Sequence, residues 1–95
     1  MKLKEMLVDT GVDCPGEMED WEFSGVHYDS RQIEKGNLFV CLAGTHVDGH
    51  VFALDAYLRG ALAVVAEEKI QCPAPVLWTS DSRRALSRIS ANYYG

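Results

Sequence analysis

The sequence predicts a single α/β domain of the three-layer α/β/α type, built on a small, mostly parallel sheet. Three observations lead there. Two short runs, residues 37–42 (NLFVCL) and 61–66 (ALAVVA), are apolar at both odd and even positions, as strands covered on both faces are. Between them lies an amphipathic stretch that stops at a glycine, so strand, helix and strand follow in the order of a right-handed βαβ crossover. Ninety-five residues leave room for one small core and one domain, residues 1–95.

Each element can be read in turn. Residues 2–8 carry Leu3, Met6 and Leu7 at helical spacing, and Thr10-Gly11 stops the helix. Residues 14–22 hold Pro15, Gly16 and four acids, which reads as a solvated loop whose acids face water. Residues 25–29 alternate and are rich in strand formers, predicting a first strand that runs into the polar Ser30-Arg31. The turn signal Lys35-Gly36 leads into the second strand, 37–42.

Residues 51–59 form the next helix, with Phe52, Ala53, Ala56 and Tyr57 sharing its inner face. Arg59 suits the helix C-terminus, and Gly60 can take the left-handed cap. The strand 61–66 follows, then a loop and a short strand at 75–78. Thr79-Ser80-Asp81 supplies N-cap candidates for a last helix. Its inward stripe is Leu86, Ile89 and Tyr93, while Arg83, Arg84 and Arg88 sit on other faces, where an exposed helix surface is the default reading and a phosphate clamp the alternative.

Composition narrows the function. A hydrophobic fraction of 47% with 24% charged residues is that of a foldable globular domain. Fourteen acids against nine bases give a net charge of -5, and a surface of that sign repels a phosphate backbone, so nucleic acid is not expected as a partner. The longest apolar run, 61–66, is far short of the ~20 residues of a membrane span, and MKLKEML lacks an export-signal core. A cytoplasmic protein is expected. Cys14, Cys41 and Cys72 are odd in number and lack CxxC spacing, which implies reduced thiols, with Cys41 a core residue.

In parallel sheets ligands bind at the carboxyl ends of strands, which singles out two loops. Asp29-Ser30-Arg31 follows the first strand and offers a carboxylate, a hydroxyl and a guanidinium, a kit for gripping a phosphate or ribose as well as for making a plain turn. Residues 44–49 follow the second, begin and end in glycine, and add Thr45, His46 and Asp48. The alternation His46, Asp48, His50 would suit a metal if the segment stayed extended. Asp48-Gly49 is instead a turn dipeptide, no further ligands lie nearby in sequence, and no metal is expected. His50, just ahead of a helix, fits capping or packing. No Ser-His-Asp convergence can be argued. Neither GxxxxGK[ST] nor GxGxxG occurs, so no ATP apparatus is recognisable.

Taken in order, Val26-His27-Tyr28-Asp29-Ser30-Arg31, Lys35-Gly36-Asn37-Leu38-Phe39-Val40-Cys41-Leu42-Ala43-Gly44 and Asp48-Gly49-His50-Val51-Phe52 resemble the N-terminal domain of the Mur ligases, closest to the MurE branch. The resemblance continues through Gly60 to Val65, Asp81 to Leu86 and Asn92-Tyr93-Tyr94-Gly95. It implies a domain that binds the UDP moiety of UDP-MurNAc-L-Ala-D-Glu. The full-length ligase would use ATP and magnesium in a central domain to add the third amino acid of the peptidoglycan stem peptide. The central ATPase and C-terminal domains would lie outside this chain, which alone would bind and not catalyse, with no catalytic residue and no cofactor of its own.

By the family's pattern the substrate contacts are Tyr28, Ser30, Thr45, His46 and Val47, with Asp29, Arg31 and Asp48 in support. Asn37 stands where the family commonly has Asp, Cys41 where it often has Ala, and Ala43 where Lys is frequent. Two alternatives stay open: the N-terminal domain of a MurF-type ligase, and a stand-alone nucleotide-binding regulatory module. Whether diaminopimelate or lysine is added would be decided outside these residues.

Overall fold

The computed structural model describes residues 1–44 and 48–95. Four short strands, β1 (Gly25–His27), β2 (Asn37–Val40), β3 (Ala63–Ala66) and β4 (Val76–Trp78), pair parallel in the spatial order β1-β2-β3-β4. Their register aligns Val26 with Leu38, Phe39 with Val64, and Val65 with Leu77. Spatial order equals sequence order, so right-handed crossovers must carry every connection over the same face. The packing agrees: Ile33 from the first connection, Ala53 and Ala56 from the second and Ala74 from the third share one core with Phe39, Cys41, Val64 and Ala66.

The opposite face would then be bare, and the two ends of the chain cover it. Helix α1 (Leu3–Met6) and helix α3 (Ser82–Tyr94) pack there, contributing Leu3, Met6, Ala85 and Ile89 to a core with Val26, Leu38, Val40, Ala63, Val65 and Leu77. The period-two side-chain alternation of β2 therefore divides it between two apolar cores, Leu38 and Val40 to one and Phe39 and Cys41 to the other. This is the physical reason for its unbroken apolar run. Burying a side chain such as Ile89, with no exposed surface, stabilises the fold by about 1.5–3 kcal/mol.

Several expected elements are shorter than predicted. Helix α1 ends at Met6, and beyond it Asp9 takes a positive φ of 58° while the Thr10 hydroxyl donates to the Leu7 carbonyl (2.8 Å) and accepts from the Val12 amide (3.2 Å), closing a turn. The loop 14–22 is not wholly solvated. Gly16–Met18 forms a 3-10 turn that sinks Met18 into the α1–α3 core. Its acids stay outside, and Asp20, lying 3.4 Å from Lys4 and 3.5 Å from Lys2, has its carboxyl held below the usual range by Lys4 first.

The predicted helix 51–59 is a 3-10 turn, Gly49–Phe52, followed by α2 (Ala53–Leu58). Ala53 and Ala56 face the sheet as expected, but Phe52 and Tyr57 are exposed. Ala53 and Ala56 join the core with Phe39, Val64 and Ala66, and the rings of Phe52 and Tyr57 stay outside it. Gly60 takes a positive φ of 115°, and a Cβ there would meet Lys35 Cα at 2.6 Å, so this helix end must be glycine.

Asp81 caps α3 as predicted, accepting from the Arg84 amide at 3.1 Å. The buried stripe is Ser82, Ala85 and Ile89, with Leu86 and Tyr93 half-buried beside it. At the far end of the helix the Asn92 amide donates to the carbonyls of Met6 and Val8, both at 2.8 Å, and the Tyr94 hydroxyl lies 3.4 Å from the Val26 N and O. The Asn92 bonds clasp the end of α3 to the end of α1, and the Tyr94 hydroxyl occupies backbone groups of the edge strand β1. Asn37 also serves the fold. Its side chain accepts from the Glu34 amide (2.8 Å) and donates to Ser24 Oγ (3.1 Å), tying the entry of β2 to the entry of β1.

Candidate functional site

A cleft of about 540 Å³ opens at the carboxyl ends of β1 and β2, lined by Tyr28, Asp29, Ser30, Arg31, Leu42, Gly44, Gly49, Phe52 and Arg83. This is where a parallel sheet holds ligands. The two predicted loops both reach it, joined by the first turn of α3.

The first loop is preorganised by its own side chains. Asp29 is extended (φ -107°) and its carboxylate accepts from the Arg31 amide (3.0 Å), from Nε (3.0 Å) and from Nη2 (2.8 Å). This two-pronged grip, the Arg31 side chain first and its amide second, pulls the Asp29 carboxyl down to about 2 and compensates the guanidinium charge. Ser30, between them, is 6% exposed. Its hydroxyl makes no hydrogen bond among the described residues and faces the cleft. Tyr28 stands exposed at the rim.

Of the second loop, Thr45, His46 and Val47 lie outside the described residues, so three of the expected contacts have no described position. Its exit is tightly built. The Gly49 amide donates to the Leu42 carbonyl at 2.7 Å, and a Cβ on Gly49 would meet Leu42 N at 2.7 Å and O at 2.8 Å. Only glycine allows that approach. The Asp48 carboxylate accepts from the His50 amide at 2.9 Å, capping the 3-10 turn.

His50, 6% exposed, is the centre of a network that sequence spacing did not reveal. Its Nε2 accepts from the Glu67 amide at 3.0 Å. An amide can only donate, so the neutral ring carries its proton on Nδ1, which lies 2.6 Å from Asp48 Oδ1. The Glu67 carboxylate in turn accepts from the Ser82 amide (2.9 Å) and hydroxyl, which hold it below the usual carboxylate range. Asp48, His50, Glu67 and Ser82 thus tie together the loops after β2, β3 and β4.

The same network bears on the metal question. Asp48, His50 and Glu68 place one potential ligand atom each within 4.8 Å of one another. Ligation through Nδ1 would require its proton to move to Nε2, where it would oppose the Glu67 N–H. The geometry fits a hydrogen-bonded hinge better than a metal centre. His46 of the HxDxH pattern lies outside the described residues. Cys41 is fully buried, and burial first of all pushes its thiol up to about 12, the state of a packing residue and not of a nucleophile.

Sequence reasoning misses Phe52 and Leu42 as cleft residues. For Arg83 it favours a plain exposed helix face over a phosphate clamp. Arg83 is exposed, yet its Nη2 donates to the Ala43 carbonyl at 3.0 Å, forty residues away. The available signal is its place two residues after the N-cap Asp81: the first turn of a helix that follows a strand lies at the ligand-binding end of a parallel sheet.

Residues 22–94 match the family described as Mur ligase family, catalytic domain. The chain is 42% identical over 97 residues to the UDP-N-acetylmuramoyl-L-alanyl-D-glutamate--2,6-diaminopimelate ligase of Syntrophomonas wolfei subsp. wolfei, covering 100% of this chain and 20% of that protein. It is 38% identical over 95 residues to the ligase of the same description from Listeria monocytogenes serotype 4b, covering 100% of this chain and 19% of the relative. It spans about a fifth of the length of these curated relatives. In structure it is similar to MurF from Acinetobacter baumannii, crystal structure I, with a TM-score of 0.76 and 24% identity over 97% of this chain and 20% of that one, a likeness of fold. Sequence identity along the whole chain and a shared sheet lead to one conclusion: the chain belongs to the Mur ligase family and has the fold of that family's N-terminal domain.

Proposed function

We propose that this domain docks the UDP end of UDP-MurNAc-L-Ala-D-Glu in an ATP-dependent ligase that adds the third amino acid of the peptidoglycan stem peptide. The observation that carries the proposal is the polar-rimmed cleft at the strand ends, in a chain 42% identical to a ligase whose name specifies that UDP-linked dipeptide. A volume of about 540 Å³ lies within the ~300–1,000 Å³ typical of small-molecule sites. Its walls suit a nucleotide: Leu42 and Phe52 offer apolar surface, Gly44 and Gly49 let backbone approach, and Ser30 has a hydroxyl to donate.

In this reading Tyr28 and Ser30 contact the ligand together with Thr45, His46 and Val47, and Asp29, Arg31 and Asp48 hold the loops. The domain binds and orients. The acyl transfer, with ATP and magnesium, belongs to the enzyme's own central and C-terminal domains, the partners of this one, and the assembly works in the cytoplasm. Among the described residues no helix is long and apolar enough to cross a membrane. The MurE-type assignment is favoured over the MurF-type one because the curated relatives of the first kind reach 42% identity, whereas the full-length likeness to MurF is one of fold at 24%.

The test is an NMR titration of the chain with UDP-MurNAc-L-Ala-D-Glu. Amides of Tyr28, Ser30, Gly44 and Gly49 should shift together, and Ser30→Ala should weaken binding by about 1 kcal/mol, the worth of one hydrogen bond. A saturating titration that moves none of these amides would remove the cleft as the docking site.

A further inference from the structure

We propose that Arg83 is the group that holds the ligand's diphosphate, an inference that rests on the nucleotide-docking reading and names the residue that makes it selective for an anion. The charges lining the cleft are Asp29, Arg31 and Arg83. Asp29 and Arg31 cancel through their paired hydrogen bonds of 3.0 and 2.8 Å. What remains is one positive charge, in a chain of net charge -5, and it belongs to Arg83, which has no carboxylate partner among the described residues.

The start of α3 competes little for the role. Two of its three first-turn amides are already taken by carboxylates, that of Ser82 by Glu67 (2.9 Å) and that of Arg84 by Asp81 (3.1 Å). An anion entering the cleft therefore meets the Arg83 guanidinium, beside a helix start whose Ser82 and Arg84 amides are already occupied. Arg83 is also held in place. Ser82, beside it, is fully buried and tied to Glu67, and one Nη2 proton is spent on the Ala43 carbonyl at 3.0 Å. Four of its five N–H groups remain for the oxygens of a diphosphate. The bond to Ala43 places that charge at the mouth of the second loop, in the cleft that Ser30 also lines.

The experiment is calorimetric titration of this chain with uridine, UMP and UDP, using the wild type, Arg83→Gln and the control Arg84→Gln on the same helix turn. The wild type should bind UDP at least tenfold more tightly than uridine. Arg83→Gln should lose about tenfold or more for UDP, the loss expected for one charge-assisted interaction, while uridine binding stays unchanged and Arg84→Gln behaves as wild type. Equal losses for uridine and UDP would reduce Arg83 to a loop support, and an unchanged UDP affinity would overturn the proposal while leaving nucleotide docking intact. A wild type that binds uridine and UDP equally would also overturn it. A wild type that binds none of the three would remove the docking reading itself.

Discussion

Replacing His50 with leucine tests whether the network beneath the cleft stabilises the fold. The substitution keeps an apolar body in a site that is 6% exposed and removes both ring hydrogen bonds. The Glu67 amide, now facing a methyl group, loses its acceptor, which costs about 1–3 kcal/mol for an unsatisfied donor. The bond to Asp48 is assisted by charge, but that carboxylate is 39% exposed, so water screens it and its loss adds about 1 kcal/mol. The sum is about 2–4 kcal/mol, a large share of the total stability of about 5–14 kcal/mol expected at this length.

Urea denaturation followed by circular dichroism would measure the effect directly, and the melting temperature should fall by about 10–30 °C at about 4–8 °C per kcal/mol. His50→Gln, whose side-chain oxygen can reach the position of Nε2 and accept from Glu67, should recover about half of the loss. A His50→Leu variant within about 0.5 kcal/mol of wild type would refute the claim that the ring nitrogens hold the three loops together.

Gly49→Ala should cost about 1–3 kcal/mol, because the new methyl has backbone and not a flexible side chain in its way; an equal urea midpoint would show that the turn can move aside freely. Acid should weaken the fold in a defined window. Asp29 titrates at about 2 in the folded chain against about 3.9 when unfolded, so the folded state takes up that proton less readily. Its contribution is complete above about pH 4 and is lost as pH falls towards 2. The carboxyls of Asp48 and Glu67, also lowered, act in the same direction. Asp29→Asn should flatten the decline in stability across that window, and an unaltered slope would assign it elsewhere.

The layers were legible because β3, and β2 after Asn37, are apolar at successive positions, and only burial on two faces calls for that pattern. Turn chemistry was legible too: Asp81 caps α3, and Asp48-Gly49 breaks the chain, each through contacts within three residues. What stayed hidden depends on distances in space. Periodicity correctly assigns Ala53 and Ala56 to the inner face of α2, but it carries no information on how closely a helix approaches a sheet, so it also places Phe52 and Tyr57 inward. Met18 is lost among acids because a single apolar residue has no period. Arg83 and Ala43, His50 and Glu67, and Glu67 and Ser82 meet across forty, seventeen and fifteen residues, and no local pattern predicts those meetings.

The sequential strand order also shapes how the chain can fold. Gly25 pairs with Asn37 and Val64 with Val76, each pair twelve positions apart, and Leu38 pairs with Ala63 after twenty-five. Loop-closure entropy rises only with the logarithm of length, so the sheet can assemble through three modest closures, each strand templating the next. One long closure remains, that of Asn92 onto Met6 and Val8 across more than eighty residues. A φ-value scan should therefore find Val40 and Val64 more native in the folding transition state than Asn92, with the α1–α3 clasp closing last over a sheet whose ligand-facing ends are already set.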